Sequence, residues 1–212
     1  MLLEQPVLAV ILVAIFLLVA YPVHEFAHAW AAYVQGDATA KLFGRLTLNP
    51  IVHFDKIGGT LTALSLLFSP ILFGWAKPTP VNPANFKDRR NGDVIVALAG
   101  PVSNLLMALL GAAAFRLFDS MDLFRTLPVE VVLGMYYFVA FNVLLMVFNL
   151  IPIPPLDGSA ILFRFLSAEQ QWRIRPMLSQ YGFILVLGVF LLGGRAISEF
   201  IFGFADVLVG VS

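Results

Sequence analysis

The chain has 212 residues, of which 60% are hydrophobic and only 12% are charged, and its formal net charge is zero. Soluble domains are on average about a quarter charged, so this composition predicts a membrane protein with several spans. The balanced charge gives no basis for nucleic-acid binding, and the absence of cysteine excludes disulfides, thiolate metal sites and cysteine nucleophiles.

Five apolar segments predict an all-α polytopic membrane protein, built as a helical transmembrane bundle. The first segment lacks the basic start of a signal peptide, so we expect it to be retained as a membrane helix. The second is short and is interrupted by Ser69 and Pro70. The last is interrupted by Gly193, Gly194 and Arg195, which leaves open whether it crosses the membrane once or forms two shorter pieces. The segments cover residues 6–35, 57–74, 93–118, 129–151 and 181–211, and a single membrane-embedded domain, 1–212, is expected to contain them.

The basic residues favour a second segment that dips into the membrane and returns, or lies at its interface. A full crossing would divide the basic residues almost evenly between the two sides. A re-entrant segment instead places ten of them, within 36–91 and 152–180, on one side and two on the other. The positive-inside rule then places the side with ten basic residues in the cytoplasm and the N-terminus outside. Residues 76–86 are too proline-rich for a helix or a central strand, so an edge strand or an extended, β-like loop is expected there.

The motif His24-Glu25-Phe26-Ala27-His28 lies at the end of the first apolar segment. Residues four apart share one face of a helix, so both histidines can reach one metal ion. Glu25 lies where a general base for a water at that metal is needed. The alternative is two histidines satisfied by neighbouring polar groups, but burying them without a purpose in a membrane helix is costly. The motif therefore favours a metal site.

Zinc requires at least one further protein ligand, and Asp157 is the strongest candidate. It follows an apolar helix and a proline-rich break, which is tolerated in a membrane protein where it lines a cavity. His24 lies about 27 Å along the first helix, near the far face of a hydrocarbon core about 30 Å thick, and two crossings return Asp157 to that face. The alternative role for Asp157 is to cap a helix over 158–166.

Three other polar residues are candidates for supporting roles. Asn104, in Ala99-Gly100-Pro101-Val102-Ser103-Asn104, is placed to form a hydrogen bond between helices, with simple packing as the alternative. Asn149 is placed either to donate to a developing oxyanion or to tie two helices together. His53 lies in a predicted loop, where a bracing role is favoured over metal binding.

These motifs together resemble the site-2 protease family of intramembrane zinc metalloproteases. The likeness covers most of residues 21–166 in the expected order, including 49–55 and 74–83, and is closest to the compact bacterial and archaeal members without an accessory regulatory domain. The resemblance implies that one zinc ion per chain is bound by His24, His28 and Asp157, and that Glu25 activates the water. It also implies that the substrate is a transmembrane segment of another protein.

The predicted function is therefore an intramembrane zinc endopeptidase in the cell membrane, with its active site towards the cytoplasmic face. A membrane metal-ion transporter or metal-sensing protein is the first alternative, although the apolar helices offer few polar residues for a path across the membrane. A catalytically silent binding protein is the second alternative, and the intact Glu25 argues against it. The oligomeric state is left open.

Overall fold

The computed structural model describes residues 6–68, 77–88 and 91–211, and these residues contain helices but no strand. The predicted all-α class is therefore confirmed. The α-helices are α1 (Pro6–Ala14), α2 (Tyr21–Val34), α3 (Thr39–Leu42), α4 (Pro50–His53), α5 (Lys56–Phe68), α6 (Gly92–Ser120), α7 (Val129–Asn149), α8 (Gly158–Phe165) and α9 (Ala168–Val209).

Among the residues that the structure describes, four helical spans are long and apolar enough to cross a membrane: Val7–Val34, Gly92–Ser120, Val129–Asn149 and Ala168–Val209. The chain is thus a polytopic membrane protein, as its composition predicts. The first, third and fourth predicted helices agree with the structure to within a few residues. Leucines that point outward, such as Leu110 and Leu192, are 68% and 93% exposed, which suits a surface in contact with lipid tails.

The first span changes its helical form just before the histidine motif. A π-helical stretch, Ile15–Ala20, joins α1 to α2, and the backbone N–H of Tyr21 donates to the carbonyl of Phe16. Pro22 stands in the first turn of α2 and has no N–H to donate to the preceding turn. A proline at this position accounts for the departure from α-helical bonding, because it removes one bond of the regular ladder.

The second apolar segment begins with α5, whose 13 residues extend about 20 Å, less than the thickness of a bilayer core. The predicted break at Ser69 and Pro70, and the start of the proline-rich stretch at Ala76, lie outside the described residues. A re-entrant path for this segment therefore stays a prediction. Residues 77–82 have no regular secondary structure, so a loop and not an edge strand is observed there. The prediction that the stretch contains no helix is wrong at Pro83–Asn85, which form one 3-10 turn that begins with the proline, where a missing N–H costs no hydrogen bond.

The last apolar segment is not broken at its glycines, and it begins earlier than predicted. α9 is one continuous helix from Ala168 to Val209, so much of the predicted polar joint 152–180 is helical. Ser167 and Gln170 form a capping box that starts the helix. An isolated glycine costs a helix only about 1 kcal/mol relative to alanine, which the rest of this long helix can absorb.

The main core lies where α6, α7 and α9 meet. Small residues on these helices allow close approach of the backbones, as is common between membrane helices. The core consists of Ala108, Ala112, Phe115, Val139, Ala140, Val143, Ile201, Ala205 and Val209. α2 packs along the other side of α6, and this contact brings the histidine motif against the first turns of that helix.

Candidate metal centre and active site

α2 presents His24 and His28 on one face, one turn apart, and both side chains are buried. Their Nε2 atoms lie 3.0 Å apart. The face of α6 opposite them carries Gly100, and a methyl group at that position would clash with both imidazole rings. The glycine therefore allows the two rings to turn towards each other between the packed helices.

The segment after α7 brings Asp157 to the same place. Its Oδ2 atom lies 3.3 Å from Nε2 of His24 and 3.3 Å from Nε2 of His28. Asp157 occupies the N-cap position of α8, yet its side chain makes no capping hydrogen bond, so capping does not explain the orientation of the carboxylate. Gly158 lies directly against the carbonyl groups of Leu150 and Ile151, where no side chain would fit.

The protonation of the two rings can be deduced from their other nitrogen atoms. Nδ1 of His28 lies 2.7 Å from the carbonyl oxygen of Val96, which can only accept a hydrogen bond. Nδ1 of His24 lies 2.6 Å from Oδ1 of Asn104. Each neutral ring therefore carries its proton on Nδ1, and both Nε2 lone pairs point into the space beside the carboxylate of Asp157.

This arrangement fits a metal cation. With both rings neutral, two nitrogen lone pairs and a carboxylate oxygen converge, and Oδ2 of Asp157 is buried without a hydrogen-bond partner. Zinc bound tetrahedrally at about 2.0–2.1 Å keeps neighbouring ligand atoms about 3.3 Å apart, which is close to the separations here.

A chain of hydrogen bonds fixes the tautomer of His24. The side-chain amide of Asn142 donates to the carbonyl of Phe138 at 2.8 Å, which sets the orientation of that amide. Oδ1 of Asn142 then accepts from Nδ2 of Asn104 at 3.0 Å, and this leaves Oδ1 of Asn104 for the ring of His24. Both asparagines are completely buried. Such partners behind a metal ligand orient it and increase its basicity.

Glu25 lies beside the histidines and is held by the loop 77–82. Its Oε2 atom accepts two hydrogen bonds from Thr79, one from the backbone N–H at 3.0 Å and one from the hydroxyl at 2.7 Å. The side chain is 8% exposed. The sequence analysis does not predict a role for Thr79, although its position between Pro78 and Pro80 indicates a backbone N–H held in a restricted loop.

The site opens into a cavity of about 520 Å³ with mostly apolar walls. Asn149 lines this cavity together with His24, Glu25, His28 and Asp157. Its Nδ2 donates to the carbonyl of Leu145 at 3.0 Å. Among the described residues, the cavity is lined by Phe16, Tyr21, His24, Glu25, His28, Thr62, Pro78, Thr79, Leu144, Leu145, Phe148, Asn149, Pro155, Leu156, Asp157, Phe183, Val186, Leu187 and Phe190.

His53 lies apart from the three converging ligands. Its ring is buried, and Nε2 lies 2.8 Å from the carbonyl oxygen of Thr47, while its own backbone carbonyl accepts from the N–H of Lys77. The residue thus braces the loops around α4. Asn142 is a polar residue in an apolar helix, and its contact with Asn104 depends on how α6 and α7 pack.

The fold and the site define a class: a polytopic helical membrane protein with a His-His-Asp cluster and an adjacent glutamate. Comparison with known proteins agrees. The sequence model for Peptidase family M50 matches residues 10–132 and 125–189. The chain therefore belongs to peptidase family M50, the site-2 protease family, and it is a zinc-dependent peptidase.

Individual relatives support the same assignment. The chain is 40% identical over 181 residues to "Putative zinc metalloprotease YwhC" of Bacillus subtilis, covering 83% of this chain and 78% of that protein. It is 34% identical over 182 residues to "Putative zinc metalloprotease Rip2" of Mycobacterium tuberculosis, covering 82% of this chain and 64% of that one. The chain therefore spans less than two thirds of Rip2. No solved structure matches the chain.

Proposed function

We propose that this zinc peptidase cuts transmembrane segments of other membrane proteins, with His24, His28 and Asp157 as metal ligands and Glu25 as general base. The observation that carries the proposal is the convergence of three lone-pair donors beside a buried carboxylate, at the end of a membrane-spanning helix. A soluble substrate would not require this chemistry to lie inside a bundle of apolar helices.

Bound zinc would supply a Lewis acid that polarises the scissile carbonyl and makes water more acidic. Within the chain, Glu25 takes a proton from the attacking water and later delivers it to the nitrogen of the departing amine. Because Thr79 occupies Oε2, the proton is held at Oε1. The second amide hydrogen of Asn149 is proposed to donate to the developing oxyanion, because its first is used by the carbonyl of Leu145.

The shape of the cavity supports a substrate segment from the membrane. Its walls are largely apolar and include residues of α2, α5, α7 and α9. A peptide bond within a helix is shielded by its own hydrogen bonds, so the segment must be locally extended at the site. The loop 77–82 lies beside Glu25, and we propose that it pairs with the substrate as an added strand. Its prolines have no N–H, so they limit the number of backbone hydrogen bonds that it can supply.

We also propose that the site faces the cytoplasm and that the enzyme acts in regulated intramembrane proteolysis. The bias of basic residues towards the loops on the side of the site supports this orientation. The transporter alternative is less well supported. Asn104 and Asn142, which would have to serve a polar path, are buried and engaged in the hydrogen-bond chain behind His24.

The test is to measure zinc content and cleavage together, using purified protein in detergent and a generic transmembrane-helix substrate. We expect one zinc per chain and cleavage for the unaltered protein. Glu25→Gln should keep the zinc and lose cleavage, because it removes the base and not a ligand. Asp157→Ala should lose cleavage and bind zinc more weakly. Cleavage that survives Glu25→Gln would contradict the mechanism, and zinc transport into liposomes by that variant would favour the transporter.

A further inference from the structure

Within the described part of the chain, the residue outside α2 that holds Glu25 is Thr79. The two are 54 positions apart in the sequence and form three contacts. The backbone N–H and the hydroxyl of Thr79 both lie within hydrogen-bond distance of Oε2, at 3.0 Å and 2.7 Å. The hydroxyl also lies 3.2 Å from the backbone carbonyl of Glu25. The carboxylate is thus fixed by two donors on the same oxygen atom.

The loop is built to present these donors. Pro78 and Pro80 have no N–H, so Thr79 is the only residue of this tripeptide that can donate from its backbone, and it donates to Glu25. The prolines also fix their own φ angles, which reduces the number of conformations that the loop can adopt. The loop therefore holds its donors in place at a low entropic cost.

Both ends of the loop are anchored to parts of the chain near α2. The N–H of Lys77 donates to the carbonyl of His53 at 3.1 Å. Asp37, which is completely buried after the end of α2, accepts from the N–H of Asn82 at 2.7 Å and from the side chain of Asn85 at 2.8 Å. The strap formed by residues 77–85 is therefore fixed at one end to α4 and at the other to the turn that follows α2, the helix that carries Glu25.

We infer that Thr79 is a positioning residue for the general base, an inference that rests on the proposed function. A carboxylate free to rotate would present either oxygen to the water and would also swing away from the two histidines. Thr79 holds Oε2 and leaves Oε1 as the atom that receives the proton. Misplacement of a reacting group by about 1 Å costs on the order of 100-fold in rate.

Three variants of the full chain test this role. Thr79→Val removes the hydroxyl at nearly constant volume, and Thr79→Ser retains it. Thr60→Val is the matched control, because the hydroxyl of Thr60 is exposed and bonds only to the carbonyl of Lys56 in its own helix. We expect Thr79→Val to lower kcat roughly 10- to 100-fold with little change in KM or zinc content. Thr79→Ser should retain most of the activity, and the control should behave as the unaltered protein.

A second measurement does not depend on turnover. The infrared carboxylate band of Glu25 can be assigned by its absence in Glu25→Gln, and Thr79→Val should shift it while Thr79→Ser and Thr60→Val leave it in place. A band unmoved by Thr79→Val overturns the inference whatever the activity. An unchanged kcat in Thr79→Val also overturns it. If the unaltered protein binds zinc but cuts no substrate, the proposed function fails, and the infrared band still decides whether Thr79 holds Glu25.

Discussion

Replacing Asn142 by leucine tests whether the chain of hydrogen bonds behind His24 controls the metal site. Asn142 is not among the proposed metal ligands, but its Oδ1 atom is the acceptor that holds the amide of Asn104 in one orientation. Without that acceptor, the amide of Asn104 is free to flip and present its NH₂ group to the ring of His24. The ring would then move its proton to Nε2, which removes the lone pair that binds the metal.

Two effects of different size follow from this geometry. Loss of a partner behind a metal-binding histidine typically weakens metal affinity about 10- to 100-fold. The amide of Asn104 is completely buried, and a buried donor left without a partner costs about 1–3 kcal/mol of stability. Asn142→Leu should therefore weaken zinc binding by one to two orders of magnitude, while the protein remains folded in detergent with a lower unfolding temperature.

The assay is a competition for zinc between the purified protein and a chelator, accompanied by thermal unfolding. The rescue variant adds Asn104→Asp to Asn142→Leu, because a carboxylate accepts from Nδ1 of His24 in either orientation. We expect the added substitution to recover zinc affinity but not stability. Zinc affinity equal to that of the unaltered protein in Asn142→Leu alone would refute the argument that the tautomer is controlled through Asn104.

Other parts of the structure give further expected outcomes. Gly100→Ala should lower zinc content, because its methyl group would clash with both imidazole rings; a fully loaded variant would contradict the close approach seen here. Gly182→Val should loosen α9 from the carbonyl of Pro154 and increase proteolysis near residue 182, which limited digestion would reveal. Burial alone would raise the pKa of Asp37, but hydrogen bonds from Asn82, Thr39 and Asn85 lower it. Its stabilising effect should be complete above about pH 4 and disappear as the pH falls through the lowered native pKa, so the unfolding temperatures of the unaltered protein and Asp37→Asn should converge in acid.

The sequence is most informative where the site depends on helical spacing. His24, Glu25 and His28 lie within one turn of a strongly apolar helix, so their common face follows from the repeat of the helix alone. Asp157 required a further argument from depth and from the number of crossings, and the structure places its carboxylate beside both histidines. Long apolar runs also gave the first, third and fourth spans, because length and hydropathy are sufficient to define them.

Contacts that depend on helix packing or on loop conformation could not be predicted from the sequence. The partner of Asn104 is Asn142 because α6 and α7 cross at those residues, and a single sequence contains no information on that register. The contact of Thr79 with Glu25 arises from a loop anchored by Asp37, far away in the sequence. The sequence left open whether α9 is continuous, because two adjacent glycines interrupt its apolar run, whereas the helix on both sides of them is long enough to accommodate them.

The length of α9 gives the molecule an asymmetric outline around its site. Its 42 residues extend about 63 Å, twice the thickness of a bilayer core. Gly182 lies against Pro154, level with the loop that carries Asp157, and it is about 21 Å along the helix from Ala168. The first third of α9, residues 168–181, therefore forms an extension that precedes the contact with Pro154. This extension is bonded to α8 through the side chain of Gln171. A protein domain that approaches the cavity from this end of α9 would meet the extension first, so we expect access to the site to be sterically unequal around its rim.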